Sequence, residues 1–209
     1  MYRRYIKRLL DVIISVILLI VLSPLIILVA IVTYIELGWP IFNHRKEKEG
    51  QYHKIFIMYK FRTSLPKKPN SKEKVFTNVT RFIDYSRLNE LPQLFNVLKG
   101  DMSLVGPRPF IPGDDLPKDK ISEKRYLLKP GITGLFQIRD GGTHKEKLEC
   151  DIQYYDNLSF WLDLKIVLKT PAAIIRKMMD TAEATPIIIS RQDAQKHASA
   201  TDAFICIIL

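Results

Sequence analysis

The chain is short of cysteine, short of acid and without repeats. Two cysteines in 209 residues, Cys150 and Cys206, are too few to staple a disulfide-rich secreted domain, so both are expected to be reduced. No internal repeat or low-complexity tract is present, which excludes a solenoid or array. Asp and Glu number 22 against 32 Lys and Arg, a formal charge of +10. No recognised nucleic-acid-binding motif accompanies that surplus, so nucleic acid is not expected as a partner. With 47% apolar residues the chain is too hydrophobic to be disordered, and its length allows one ordinary domain rather than two full ones.

The most informative absence is local. Between Asp11 and Glu36 lie 24 residues, Val12 to Ile35, without a single charge. As one helix they would extend ~36 Å, enough for a bilayer core of ~30 Å. The near-zero mean hydropathy, −0.01, hides this segment by averaging it with a basic remainder. The basic start Tyr2-Arg3-Arg4-Tyr5-Ile6-Lys7-Arg8 suggests a signal peptide, but the apolar stretch is too long and no small-x-small site follows before Glu36, so cleavage is not expected. Ser23-Pro24 stands at the centre of the segment, where proline removes a helix hydrogen bond and crowds the preceding turn. Arg3, Arg4, Lys7 and Arg8 precede the segment and Arg45, Lys46 and Lys48 follow it. Basic flanks favour the cytoplasmic side, so charge on both sides suits a segment that enters and returns through one face. A proline-kinked spanning helix fits the same residues, and these features alone leave both open.

From Asn43 to Lys74 there are ten Lys or Arg and three Glu, most of the chain's surplus, where anionic headgroups or phosphate-bearing ligands would be met. A solvated charged face is the plainer reading of such a run. Lys54 to Phe61 is β-branched and aromatic and predicts a strand; Leu65 to Asn78 predicts a loop. Arg87 to Leu98 carries Leu88, Leu91, Leu94, Phe95 and Leu98 at helical spacing with Pro92 near its start, and Gly100-Asp101 closes it. Gly106-Pro107-Arg108-Pro109 is a rigid turn, and Pro130-Gly131-Ile132-Thr133-Gly134 is another, leading to a short strand, Leu135 to Ile138. Leu162 to Met179, interrupted by Pro171, predicts two short surface helices.

Several long motifs occur in order: Ser23-Pro24, Tyr59-Lys60-Phe61-Arg62-Thr63, Leu88-Asn89-Glu90-Leu91-Pro92-Gln93-Leu94-Phe95-Asn96-Val97-Leu98-Lys99-Gly100-Asp101-Met102-Ser103, Val105-Gly106-Pro107-Arg108-Pro109, Pro130 to Leu135, and Leu158 to Lys165. From Tyr5 to about Thr170 the chain resembles the bacterial sugar transferases, the small monotopic phosphoglycosyl transferases that start exopolysaccharide, capsule and other glycoconjugate assembly. The resemblance implies transfer of a sugar 1-phosphate from a UDP-sugar to polyprenyl (undecaprenyl) phosphate, with release of UMP. The place implied is the cytoplasmic face of the inner membrane. It also implies an Asp-Glu pair acting with Mg²⁺, the Asp attacking the β-phosphorus to give a covalent phosphosugar that the lipid phosphate resolves. The physical need is clear: a carboxylate approaching a diphosphate of like charge requires cations to neutralise the oxygens. The same resemblance favours re-entry of the apolar segment.

Position by position, the family's nucleophilic Asp corresponds to Asn89, while Glu90 is retained. An amide is a poor nucleophile and a weak Mg²⁺ ligand beside a carboxylate. Five positions earlier, where many members carry Arg, this chain has Asp84, with Arg87 as a substitute cation. The stretch after the anchor reads Phe42-Asn43-His44-Arg45, about two residues further from Lys60 than in the usual pattern. Three explanations fit: Glu90 as a displaced nucleophile, a catalytically silent homologue that still binds carrier lipid or nucleotide sugar, or direct transfer with Glu90 holding the metal. Retained activity is favoured because Lys60, Arg62, Glu90, Asp101 and Arg108 all remain. The candidate residues are thus Glu90 and Asn89 for catalysis and metal, and Lys60, Arg62, Arg87, Asp101 and Arg108 for substrate. Plainer roles exist: Asp101 as a cap, Arg108 as a brace, Lys60 and Arg62 as headgroup contacts. The terminal Cys206-Ile207-Ile208-Leu209 matches a prenylation pattern that would matter only inside a eukaryotic host. The expected architecture is α+β: a re-entrant helix-break-helix over 1–36, a small catalytic body over 37–180 and a tail over 181–209.

Overall fold

The computed structural model describes residues 2–43, 47–66, 74–113, 122–139, 143–182 and 187–195. His44, Arg45 and Cys206, each noted above, lie outside the described residues. Helices and short strands are mixed, as α+β requires. A π-helical turn, Tyr2–Ile6, leads into α1, Lys7–Leu37. Helical backbone continues through Pro24, so the expected break is not a loss of helix. Proline deletes one N–H locally, and the apolar runs on either side keep their own hydrogen bonds. Ile20, Val21, Ile27 and Leu28 are exposed, and only 11% of the most apolar stretch is buried, unlike the core helix of a soluble protein. By length and composition α1 can cross a membrane.

The chain divides into two compact units, and the division cuts α1 at the Leu22–Ser23 step, beside Pro24. The first unit holds Met1–Leu22, Arg45–Tyr59 and Pro92–Arg176. In it β1, Glu47–Glu49, pairs antiparallel with β2, Ile55–Ile57, a shorter strand than Lys54 to Phe61 predicts. The short helix α3, Gln93–Lys99, ends at Gly100 in the left-handed conformation (φ 92°), where glycine carries no Cβ penalty. Asn96, fully buried, ties α3 to the strand run: its Nδ2 donates to Ile57 O and its Oδ1 accepts from Tyr59 N.

Strand β5, Ser103–Val105, lies parallel to β6, Gly131–Thr133, so the segment 130–134 forms part of a strand and not only a turn. The strand expected at Leu135 to Ile138 is instead a run of turns. The glycines of these motifs exist for backbone approach: a Cβ on Gly131 would stand 2.1 Å from Gly106 N, and one on Gly106 would stand 2.4 Å from Lys129 O. Helix α4, His144–Asp156, starts with a capping box of Thr143 and Glu146. Helix α5, Phe160–Ala182, is a single helix with Pro171 inside it, not the two expected. Val105, Leu128, Tyr154 and Ile166 form one core cluster, and Phe56, Val97 and Met102 a second.

The start of α1 is held in this unit by polar contacts. Tyr2 Oη and Lys7 Nζ each donate to Asp163 Oδ2 at 2.6 Å, and Arg8 donates to the carbonyls of Val97 and Leu98. Asp11 accepts from Leu104 N. Asp163 also accepts from the buried Tyr154 hydroxyl. Burial and the adjoining Asp163 push both Tyr2 and Tyr154 phenols well above their ordinary range.

The second unit holds Ser23–His44, Lys60–Leu91 and Lys177–Leu209. Strands β3 (Leu65–Pro66), β4 (Lys74–Phe76) and β7 (Ile187–Ile188) form a sheet of order β3-β4-β7, so the predicted loop over 65–78 carries two short strands. Helix α2, Asn78–Tyr85, begins with a Thr77–Thr80 capping box. Val29 of α1 packs with Phe61 and Ile83, and Leu37 with Leu65, Val75 and Ala194.

Candidate active site

Helix α2 ends at Ser86, and Arg87 follows with φ 62°, the left-handed position usually given to glycine. That reversal turns the predicted continuous helix over Arg87 to Leu98 into a 3₁₀ turn, Leu88–Glu90, followed by α3. It also folds residue 89 back towards the last turn of α2. Asn89 is completely buried, and its Nδ2 donates to Asp84 Oδ1 and approaches Thr63 Oγ1 at 3.5 Å. Its Oδ1 has no hydrogen-bond partner among the described residues. Thr63 Oγ1 donates to the same Asp84 oxygen at 2.8 Å.

Lys60 and Thr63 come from the strand-like run after Tyr59. Phe61 stacks on Phe42, and the backbone bonds Asn43 N to Lys60 O and Arg62 N to Ile41 O pin the run against the segment after α1. Phe61 N donates to Asn89 O, which locks this run to the 3₁₀ turn. Lys60 Nζ then faces two carboxylates, Glu90 Oε1 at 3.3 Å and Asp84 Oδ1 at 3.7 Å. Arg87 Nη1 donates to Glu90 Oε1 at 2.9 Å. Of the expected residues, Lys60, Arg87, Asn89 and Glu90 therefore converge, joined by Asp84 and Thr63.

Arg62, expected at the substrate, is only 9% exposed and places Nη2 on the carbonyls of Leu37 and Gly38, the end of α1. A buried guanidinium there satisfies carbonyls that a helix C-terminus leaves unpaired. Asp101 and Arg108 belong to the first unit. Asp101 follows α3, with its N–H on Asn96 O and its carboxylate 3.5 Å from Lys99 Nζ, the arrangement of a cap. The main chain of Arg108 is braced by a buried pair: Arg125 donates to Arg108 O and binds Asp151 at 3.1 Å. Burial pushes the Asp151 carboxyl up to about 6 against the pull of Arg125. Arg125 also stacks over Phe110, 3.8 Å from the ring centre. In the same unit burial, with Arg8 close by, holds the Lys129 ammonium below its ordinary range.

Sequence reasoning missed four positions. Thr63, Asn96 and Asp163 lay inside quoted motifs without a role. At Asp84 the sequence shows the absence of an arginine more plainly than the presence of a carboxylate. Among the described residues no cluster of three or more His, Cys, Asp or Glu could hold a metal by itself. The carboxylates of Asp84 and Glu90 and the orphan Oδ1 of Asn89 are nonetheless hard oxygen donors, the type that Mg²⁺ takes alongside substrate phosphates.

The arrangement suits a polyanionic substrate: fixed cations, two carboxylates and a buried amide beside a membrane-length helix. A family model described as bacterial sugar transferase matches residues 2–177. The uncharacterized sugar transferase EpsL of Bacillus subtilis is 39% identical over 181 residues, covering 83% of this chain and 87% of its own length. The undecaprenyl-phosphate galactose phosphotransferase of Salmonella typhimurium is 34% identical over 199 residues, and the match spans 83% of this chain but 41% of that longer protein. The UDP-glucose:undecaprenyl-phosphate glucose-1-phosphate transferase of Caulobacter vibrioides is 36% identical over 187 residues, with 81% and 69% covered. On the match over residues 2–177, the chain belongs to the bacterial sugar transferase family.

Proposed function

We propose that this chain transfers a sugar 1-phosphate from a UDP-sugar to undecaprenyl phosphate, releasing UMP, at the cytoplasmic face of the inner membrane. The observation that carries the reading is the cluster around Lys60, where one ammonium meets Asp84 and Glu90 and Arg87 adds a second cation. Lys60 and Arg87 are the groups to neutralise diphosphate oxygens, and Glu90 holds both in place. The relatives named for undecaprenyl-phosphate sugar phosphate transfer support the same chemistry. A catalytically silent protein is the weaker reading, because a carboxylate is still present at the buried amide. Mg²⁺, bound by Glu90 with Asp84 or the Asn89 amide oxygen, would supply further charge neutralisation on the diphosphate. Arg108, on its braced Pro-rich loop, and Asp101 remain proposed substrate residues.

Re-entry of α1 belongs to the same proposal. Basic residues stand on both sides of the segment, Arg3, Lys7 and Arg8 before it and Lys48 after it, which suits entry and return through one face. Ser23-Pro24 is the place for the segment to turn back.

The test is to supply the purified chain in lipid nanodiscs with Mg²⁺, undecaprenyl phosphate and a panel of UDP-glucose, UDP-galactose and their N-acetylated forms. UMP release with at least one donor is expected. Absence of release across the panel would remove the assignment.

A further inference from the structure

Resting on the transferase reading above, we propose that the nucleophilic carboxylate of this chain is Asp84, which takes over the work that an amide at position 89 cannot do. Three observations carry it. Asn89 is fully buried with its Nδ2 on Asp84, and its amide oxygen is a poor nucleophile beside a carboxylate. The Asp84 side chain is 30% exposed and stands in the last turn of α2, brought to residue 89 by the left-handed reversal at Arg87. Its Oδ1 receives Asn89 and Thr63 and faces Lys60, while among the described residues Oδ2 has no hydrogen-bond donor. One oxygen is thereby fixed and the other is presented. Glu90 is the poorer candidate: it is 19% exposed, and its Oε1 is shared between Lys60 and Arg87. It organises cations instead.

The residue types agree with this exchange. A second carboxylate at 89 would abut Asp84 at hydrogen-bond distance and repel it, whereas an amide donates to it. Position 84 has gained the acid that position 89 lacks, and the Asn89 orphan Oδ1 marks the site as polar and built.

The step balances without water or redox partner. Asp84 Oδ2 bonds to the β-phosphorus of the UDP-sugar, the bond from that phosphorus to the α–β bridging oxygen breaks, and UMP leaves with the electron pair. An oxygen of the lipid phosphate then bonds to the same phosphorus, and the carboxylate departs unchanged. Asn89 and Thr63, donating to Oδ1, stabilise the carboxylate as it leaves.

The experiment uses the full chain in nanodiscs with Mg²⁺ and the UDP-sugar panel, first without lipid phosphate. Intact mass is expected to rise by one sugar phosphate, with the adduct mapped by peptide fragmentation to Asp84. Asp84→Asn is expected to lose the adduct and to slow UMP release on the order of 10³-fold or more, while retaining its circular dichroism and UDP binding. Thr63→Ala, which keeps the carboxylate but removes one donor, is expected to slow release about 10-fold. An adduct on Glu90, or undiminished release by Asp84→Asn, overturns the assignment and leaves the transferase reading intact. Release by Asn89→Asp but not by the natural chain overturns it in favour of a lost nucleophile. No release by either chain overturns both readings.

Discussion

Replacing Asp163 by alanine tests how the start of α1 is held. Tyr2, Lys7 and Tyr154 all donate to this one carboxylate at 2.6 Å, and the residue is 7% exposed. Truncation leaves the Lys7 ammonium, itself mostly covered, without its carboxylate, and it strands the Tyr2 hydroxyl. Tyr154 can turn its single proton to Val105 O, 3.1 Å away, so the loss falls on two of the three donors. Breaking a buried ion pair from one side costs ~3–5 kcal/mol, far more than the pair is worth against a packed apolar replacement. For a chain of this length ~1 kcal/mol moves Tm by ~2–4 °C, so Asp163→Ala should lower it by ~10 °C in detergent, followed by circular dichroism. Lys7→Met combined with Asp163→Leu should recover part of the loss, because no unpaired charge remains. A fall below ~2 °C for Asp163→Ala, or a double variant that simply adds the two losses, would refute the buried-pair reasoning.

Gly131→Ala should be far more damaging than Gly113→Ala. The first places a Cβ 2.1 Å from Gly106 N and forces β5 from β6, whereas the second meets nothing within 4 Å and carries only the strain of φ 84°, ~1 kcal/mol; comparable thermal shifts would contradict this. His53 bridges Glu123 and Glu49, which raise its ionisation above the usual 6.5. Its contribution is therefore present below pH 6.5 and lost as pH rises through the raised value, so the Tm gap between the natural chain and His53→Gln should shrink from pH 5.5 to 8.5. A gap that widens would reverse the sign. Cysteines introduced at Tyr5 and Glu47, in a chain lacking Cys150 and Cys206, should react from the same side of a sealed vesicle, and opposite-side labelling would defeat re-entry.

What the sequence disclosed, and what it concealed, follows from the range of the interactions involved. The uncharged run, the Gly100 stop and the Lys60 and Glu90 positions were legible because each is written in adjacent residues. The interruption after Arg87 was not, because a non-glycine residue in the left-handed region gives no compositional signal. Helices through Pro24 and Pro171 show proline tolerated where neighbouring turns remain bonded. The pairs Arg125–Asp151 and Lys7–Asp163 join residues far apart in sequence, and no local pattern announces them. Asn89 was visible as a departure, yet its meaning depends on Asp84, which becomes its neighbour only after the chain reverses at Arg87.

The most direct test of the central claim is to identify both products after incubation with a UDP-sugar carrying a labelled β-phosphate. The account predicts equal amounts of UMP and of a polyprenyl diphosphate sugar that has acquired the label. Release of UDP with an unlabelled lipid product would mean that the sugar alone moves, and would contradict phosphosugar transfer.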